Sequence, residues 1–427
     1  MRSAQDGERI LTNVGRNPKL GRVSYVAMSV HRITRRSLLL AGAGAIGGGA
    51  LRPRTALALL SRPASATLGE HRLGKLTSTV TSVELASPAD LLGVEWQGAA
   101  RARLSLRFLD QDGRWSSWVM AGASGHGPDL PAQTDRQVGE PIWTGGTTSI
   151  QVRCASAVED ATLRLVNVGN AGAGTLGSTA APLASTASLA LATPNLRAAA
   201  GQPPIIARKA WARAMAPPRV APEYGAVEMA FVHHTENPNG YGAGEVPAML
   251  RAIYLFHRYV NGWNDIGYNF VIDLYGRIFE ARAGGIDEPV VGAQAGGYNY
   301  FSTGVAVLGT FSAAPISNAA RDALERLLAW KLSLHGVPSQ GRVTVKVNAA
   351  GAFYSRFPAN ARVSLPRIAG HRDGDATECP GNVLYGELPA IRTGVQALAP
   401  NPTRATLALT TPTVAPQTPT TPQTPTT

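Results

Sequence analysis

A stretch of low complexity, residues 170–202, divides the chain, because it consists mostly of Ala, Gly, Ser and Thr and has few large apolar side chains. Such a segment cannot bury enough apolar surface to join a core, so the chain before it and the chain after it must each build a core of their own. With 427 residues, 44% of them hydrophobic, the protein has room for two domains and tails. We therefore predict two domains joined by a linker.

Before the linker, residues 70–169 alternate apolar and polar side chains over short runs. Leu104–Phe108 and residues 150–154 show the period of half-buried strands, and turn-forming residues such as those at 110–113 separate such runs. We expect a small all-β, sandwich-like domain, called the β-domain below. Nothing in it indicates catalysis, and Cys154 is predicted to be a buried small hydrophobe.

After the linker, residues 203–398 combine strand and helix patterns. Residues 229–232 form a short apolar run that predicts a buried strand ending at His233, and apolar residues recur at helical spacing over residues 246–260. The mixture predicts an α/β-domain with a central mixed sheet flanked by helices.

The N-terminal segment has the layout of an export signal. Arg35 and Arg36 precede an uncharged run rich in Gly and Ala at residues 38–51, and an Ala-Ser-Ala cleavage site follows. The run is short for a membrane span. Residues 1–66 are therefore predicted to be a signal of the twin-arginine type, with the true start near Met28; an uncleaved anchor is the alternative. We expect a protein exported across the cytoplasmic membrane, to be periplasmic, associated with the cell wall or secreted.

The charge balance is basic, with 40 Lys and Arg against 28 Asp and Glu and a net charge of +12. Such a chain fits anionic cell-wall polymers. No basic run interleaved with aromatic residues lies beyond the N-terminal segment, so nucleic acid is not predicted as a partner, and no obligate protein partner is inferred. Residues 399–427, mostly Thr and Pro, are predicted to be a disordered tail. Two cysteines cannot supply a disulfide framework.

Two distant segments carry the residue types of a zinc site. His233 and His234 end the predicted strand, and His371 and Cys379 are separated by seven residues. A short loop could bring His371 and Cys379 to one ion, with a histidine from the strand end as the third ligand. Two imidazoles and a thiolate suit Zn²⁺, and three protein ligands leave a fourth position for water, as in catalytic zinc sites.

Three segments together resemble a known family. Phe-Val-His-His-Thr at 231–235, Trp-Asn-Asp-Ile-Gly-Tyr-Asn-Phe at 263–270, and the motif from Gly-His-Arg-Asp to Cys-Pro-Gly at 370–381 are similar to motifs of peptidoglycan recognition proteins and phage amidases, in the same order and spacing. The resemblance covers roughly residues 205–395. It implies the fold of a zinc-dependent N-acetylmuramoyl-L-alanine amidase, a type 2 amidase, whose partners are peptidoglycan or muropeptides.

The resemblance also implies roles for individual residues. His233, His371 and Cys379 are implied as zinc ligands. Tyr268 takes the place of a tyrosine that helps to activate the zinc-bound water or to stabilise the oxyanion, and Thr377 that of a residue supporting the transition state. The implied function is zinc-dependent hydrolysis of the amide bond between N-acetylmuramic acid and L-alanine, by zinc-activated water. A non-catalytic peptidoglycan-binding receptor of the same fold is the alternative, and a structural protein of the wall is a third hypothesis.

Two positions depart from the family's pattern. Gln294 stands where relatives often have a histidine that lines the substrate groove. At residues 283–285 this chain has Ala-Gly-Gly, where many relatives have a pair of residues that helps to discriminate the third residue of the stem peptide. The resemblance therefore does not imply which stem peptide this chain prefers. The remaining histidines are not predicted to act: His257 is expected to pack in its helix. The others are expected in loops or facing solvent: His31, His71, His126 and His335.

Structural alternatives exist for three of the singled-out residues. His234 is predicted to be structural or to support a ligand, because strand alternation points it away from His233. On spacing alone, Tyr268 could be only a core tyrosine of a strand. Cys379 could pair with Cys154 after export, although Cys154 belongs to the other predicted domain.

Overall fold

The computed structural model describes residues 23–27, 66–98, 102–123, 125–129, 136–169, 201–213 and 215–399. The predicted linker and Thr/Pro tail lie outside these residues, apart from a few at their edges. Most of the predicted export signal lies outside them too, but Val23–Ala27, inside its predicted bounds, form a strand that pairs with Thr67–Leu76. Within the described ranges, no helix combines the length and the apolar character that crossing a bilayer requires.

The β-domain is a single antiparallel sheet, which confirms the all-β prediction. Its strands are β1 (Val23–Ala27), β2 (Thr67–Leu76), β3 (Thr81–Gln97), β4 (Leu104–Phe108), β5 (Val119–Met120), β6 (Arg136–Val138), β7 (Ile142–Cys154) and β8 (Val158–Asn167). They are ordered β1-β2-β8-β3-β7-β4-β5, with β6 on β3. The long strand β3 is bulged between Glu84 and Ala89, where the extra residues bend it. Alternate side chains of the strands, such as Leu104 and Leu106, fill one apolar core.

A mixed sheet lies at the centre of the α/β-domain, as predicted. Its strands are β9 (Ile205–Ile206), β10 (Met229–His234), β11 (Phe270–Ile272), β12 (Ile278–Glu280), β13 (Ser302–Val307) and β16 (Ile368–Gly370). A separate hairpin of β14 (Arg342–Lys346) and β15 (Arg362–Pro366) precedes β16 in the chain. The order in the sheet is β16-β10-β13-β11-β12-β9. All described pairings in this sheet are parallel except that of β11 with β12.

Helices cover both faces of this sheet. They are α1 (Arg208–Trp211), α2 (Val246–Leu255), continued by a π-helical turn (Phe256–Val260), α3 (Asn318–Leu334), α4 (His371–Gly374) and α5 (Asn382–Leu398), with 3₁₀ turns at Asn299–Phe301 and Ala349–Gly351. Helices α3 and α5 pack on one face and α2 packs on the other. Ser317 starts α3 by accepting a hydrogen bond from the Ala320 N–H at 3.0 Å.

The two domains share an apolar core. Leu91 and Trp143 of the β-domain pack in the same cluster as the buried face of α2. A Cβ atom added to Gly93 would lie 2.5 Å from the Phe256 ring, so the backbone of β3 lies directly against the π-helical turn that continues α2. The Trp143 N–H also donates to Asn237 Oδ1 at 2.6 Å. The composition of the linker predicted two domains joined by a flexible segment, which need not share an interface; the structure shows that they do share one, because linker composition says nothing about how two folded surfaces fit.

Candidate metal centre and active site

Two neighbouring parallel strands bring His233 and His371 together. Strands β10 and β16 pair with Val232 opposite Gly370, so the next residue of each, His233 near the end of β10 and His371 just after β16, lies at the same edge of the sheet. The ring centroids of the two histidines are 4.6 Å apart. Because side chains alternate along a strand, His233 lies on the face opposite to Val232, which packs against α3.

Cys379 reaches the same point from the loop that follows α4. Its Sγ lies 3.7 Å from His233 Nδ1 and accepts a hydrogen bond from the backbone N–H of His234 at 3.4 Å. The Cys379 N–H donates to Thr377 Oγ1 at 3.2 Å, which fixes the loop. Burial raises the pKa of the Cys379 thiol, and the His234 N–H opposes that rise. The sulfur therefore has a donor that supports a thiolate once a cation lies beside it.

In His233 and in His371, the Nε2 atom is held by a hydrogen bond to a side-chain oxygen. His233 Nε2 donates to Gln294 Oε1 at 2.5 Å, which leaves Nδ1 facing Cys379. His371 Nε2 donates to Asp375 Oδ2 at 2.9 Å, and the backbone of Gly125 also forms a hydrogen bond with this imidazole. Burial lowers the pKa of both imidazoles, so both are neutral. A neutral imidazole whose far nitrogen is held in this way is the form that binds a metal.

A third imidazole comes from the β-domain. His126 is 3% exposed, its Nε2 lies 3.1 Å from His233 Nδ1, and Glu140 contacts its Nδ1. Its ring stacks on that of His371, with centroids 4.4 Å apart and an angle of 7° between the planes. His126 lies in a loop, as expected, but it is buried against two site histidines and does not face solvent. The β-domain, in which nothing indicated catalysis, therefore places a side chain beside the site. The contact joins residues 107 positions apart, which no local pattern could indicate.

The four donor residues fit zinc in type and in spacing. The ligand atoms of His126, His233, His371 and Cys379 all lie within 4.8 Å of one another, and all four residues are buried. Zinc–nitrogen and zinc–sulfur bonds of about 2.0 and 2.3 Å in a tetrahedron place two nitrogens about 3.3 Å apart and nitrogen about 3.6 Å from sulfur. In the structure, His126 Nε2 and His233 Nδ1 are 3.1 Å apart, and Cys379 Sγ lies 3.7 Å from His233 Nδ1.

The two other predicted site residues lie beside these donors. The Tyr268 ring centroid is 5.4 Å from that of His233 and meets the His126 ring edge-on at 5.3 Å. Burial raises the pKa of the Tyr268 phenol, so it keeps its proton at neutral pH. The Thr377 hydroxyl faces the Cys379 N–H. The structure thus brings together all five residues singled out from the sequence, although Tyr268 also packs in the apolar core.

Two other histidines and the second cysteine have structural positions. His234 Nδ1 accepts from the Phe311 N–H at 3.4 Å, and His257 Nδ1 accepts from the Gly267 N–H at 3.1 Å. Neither belongs to the donor group. Cys154 is free and lies in the core of the β-domain, so the alternative of a disulfide to the site cysteine is wrong.

Comparison with known families identifies the α/β-domain. Residues 223–382, which contain the whole site except His126 and Glu140, match the family model described as N-acetylmuramoyl-L-alanine amidase. These residues form an amidase-family domain. The resemblance seen in the three motifs is confirmed, and the α/β-domain is called the amidase domain below. Residues 52–183 match a family described as Rv3811 N-terminal galactose-binding domain-like, in agreement with a sheet-rich first domain.

Relatives of the amidase domain include recognition proteins and amidases. Peptidoglycan-recognition protein SC2 of Drosophila simulans is 28% identical over 159 residues, which are 37% of this chain and 71% of the relative. Human N-acetylmuramoyl-L-alanine amidase is 28% identical over 177 residues, 41% of this chain and 26% of the human protein. Among solved structures, wild-type Drosophila PGRP-LB aligns with a TM-score of 0.34 and 25% identity, covering 44% of this chain and 93% of that one.

The sequence analysis did not predict the side chains that accept a hydrogen bond from the histidines of the site. Gln294, expected to line the substrate groove, is fully buried and holds His233 instead. Asp375 follows His371 by four residues, the spacing of neighbours on one helical face, so this pair could have been noticed. Glu140 had no comparable signal, because it serves a histidine of the same domain whose role depends on contacts with the other.

Proposed function

We propose that the amidase domain uses zinc to hydrolyse the amide bond between N-acetylmuramic acid and L-alanine in peptidoglycan. The observation that carries the proposal is a buried group of imidazoles and one cysteine sulfur at neighbouring strand ends, of which His126 comes from the β-domain and the others lie inside a domain that matches this amidase family. The human relative is named for the same reaction.

The donor residues divide into ligands and groups that orient them. His233, His371 and Cys379 would hold zinc, which when bound supplies Lewis acidity towards the scissile carbonyl and lowers the pKa of a water. Gln294 and Asp375 fix which imidazole nitrogen faces the metal, and so reduce the reorganisation that binding costs. The His234 N–H stabilises the sulfur in its charged form.

Tyr268 is suited to donate a hydrogen bond during the reaction. Hydrolysis of an amide places negative charge on the carbonyl oxygen and requires a proton for the departing nitrogen. The phenol keeps its proton because burial raises its pKa, and its ring lies beside His233 at the edge of the donor group. A neutral donor fixed at this place can stabilise the developing charge without a large rearrangement.

The ligand set can be tested with a matched pair of cysteine variants. We expect the full chain to bind about one zinc and to release stem peptide from a soluble muropeptide over a long incubation, detected by mass spectrometry. Cys379→Ser should lose most of the zinc and nearly all release. Cys154→Ser removes the other buried free cysteine and should keep both. Because His126 lies in the donor group, the same assay is run on His126→Ala.

Three outcomes would contradict parts of this proposal. Full zinc content and full rate in Cys379→Ser would show that the ligand set is wrong. Binding of the muropeptide without release, by both the full chain and His126→Ala, would favour the receptor alternative. Release of a fragment other than the intact stem peptide would assign the domain to another reaction.

A further inference from the structure

Residues 125–129 of the β-domain, named the latch below, fill the space in front of the donor group. The glycine-histidine-glycine at its start is buried. A Cβ atom on Gly127 would lie 2.3 Å from the Tyr354 ring, and one on Gly125 would lie 3.1 Å from His371 Cε1. The backbone of the latch therefore approaches the amidase domain at Gly127 as closely as only glycine permits.

Asp129 anchors the latch to the amidase domain. Its Oδ1 accepts from the Gly297 N–H at 2.6 Å and from Asn299 Nδ2 at 3.1 Å, and its Oδ2 accepts from Asn348 Nδ2 at 3.3 Å. Asn299 Nδ2 also donates to the carbonyl of Gly127 at 2.8 Å. Polar contacts of this kind hold a segment in one place yet exchange readily for contacts with water.

His126 has the same arrangement as the two histidines of the amidase domain. Each of the three imidazoles is held at its far nitrogen by a side-chain oxygen, which for His126 belongs to Glu140. Its near nitrogen, Nε2, lies 3.1 Å from His233 Nδ1, close to the roughly 3.3 Å that two nitrogens of a tetrahedral zinc site require. A histidine that only packed in an interface would not need its lone pair aimed at two other metal donors.

Four protein donors close a zinc site, whereas hydrolytic zinc sites keep one position open. The His126 ring also covers His371 and meets Tyr268 edge-on, so it stands where a substrate carbonyl would have to enter. We propose that His126 is a fourth metal ligand and that the latch keeps the amidase domain inactive until it is withdrawn. This proposal rests on the proposed function.

Withdrawal of the latch does not require the domains to separate. The apolar interface through Leu91 and Trp143 involves β3 and β7, not the latch. The domains can therefore stay joined while the hydrogen bonds of Asp129 and the contact of His126 are exchanged for water. The rate of the full chain is then the rate of the open form multiplied by its population.

The first test compares access to the metal in the full chain and in His126→Ala. Both are loaded with Co²⁺ in place of zinc, and the visible spectrum is recorded while acetohydroxamate, a small chelating probe, is added. We expect little change for the full chain and saturable change for His126→Ala, whose fourth position is open. His335→Ala, a histidine outside the donor group, should behave like the full chain. Equal response of the full chain and His126→Ala would overturn the proposal.

The second test measures turnover of a soluble muropeptide and uses a variant that keeps His126. Minor open states are commonly populated at 0.1–10%, so His126→Ala should raise the rate by roughly 10- to 1000-fold. Asp129→Ala removes the anchor without touching a donor and should raise it in the same direction. Both variants are checked for folding by circular dichroism. If His126→Ala fails to fold, Asp129→Ala decides: a rate and a probe response equal to those of the full chain would overturn the latch.

The two proposals fail in different ways. If the variants open the metal to the probe but none of the proteins hydrolyses the muropeptide, the latch stands and the proposed reaction is wrong. If the full chain and the variants hydrolyse it equally fast and bind the probe equally well, the amidase stands and the latch is wrong.

Discussion

At the scale of single residues, the site depends on which nitrogen of each imidazole is held from behind. Gln294, Asp375 and Glu140 each occupy the far nitrogen of one histidine, and the near nitrogens face a common point. The sequence predicted His233, His371 and Cys379, because they lie in motifs with fixed spacing. It did not predict their acceptors, which are selected by how strands and loops meet in three dimensions.

The clearest residue-scale prediction concerns Tyr268. Tyr268→Phe removes the hydroxyl and keeps the ring that packs in the apolar core, so we expect full zinc content, an unchanged fold and a rate lower by about 100-fold. Metal analysis and initial rates on a muropeptide check both statements. In the full chain the measured rate would also depend on how often the latch opens. The comparison is therefore made in the His126→Ala protein, with and without Tyr268→Phe. An undiminished rate would show that the Tyr268 hydroxyl has no part in the reaction and that the residue serves only to pack the core.

At the scale of elements, the parallel pairing of β10 with β16 places the donors, and helices on both faces keep the sheet in place. The apolar spacing of the sequence predicted α2 and the strand that contains His233, because both patterns are local. Helix α3 carries a buried cation that hydrophobic periodicity does not explain.

That cation, Lys331, makes stability depend on pH. Burial lowers the pKa of its amino group to about 7, and Nζ donates to the carbonyls of Ile286 and Glu288, each at 2.8 Å. The unfolded chain keeps the ordinary value of about 10.4, so between these values it binds more protons than the folded chain. Stability is therefore full above the unfolded pKa and is lost as pH falls to the folded one.

Comparison with Lys331→Met isolates this effect from other titrating groups. The free energy of unfolding of the wild type, relative to the variant, should rise by up to about 1.4 kcal/mol per pH unit between about pH 7 and pH 10. Denaturant unfolding at several pH values gives the difference. A difference that is flat over this range would mean that Lys331 titrates near its ordinary value.

At the scale of the whole molecule, two domains that the sequence separates are joined in the structure. Apolar periodicity correctly predicted an all-β domain and an α/β-domain, and the composition of residues 170–202 predicted a linker between them, but neither predicted a contact between the domains. Packing across β3, β7 and α2, together with His126, makes the β-domain part of the site's surroundings. Such contacts depend on the shapes of two complete surfaces, so no pattern along the chain could predict them.

The central claim, hydrolysis of the muramyl–alanine amide, is tested most directly by following the oxygen of water into the products. The full chain and His126→Ala are incubated with zinc and a muropeptide in water enriched in heavy oxygen, and the products are analysed by mass spectrometry. We predict that the muramic acid product carries the heavy oxygen in its new carboxylate, while the stem peptide is unlabelled and has a free alanine amine. Heavy oxygen in a carboxylate of the stem peptide, or no product from either protein, would contradict the account.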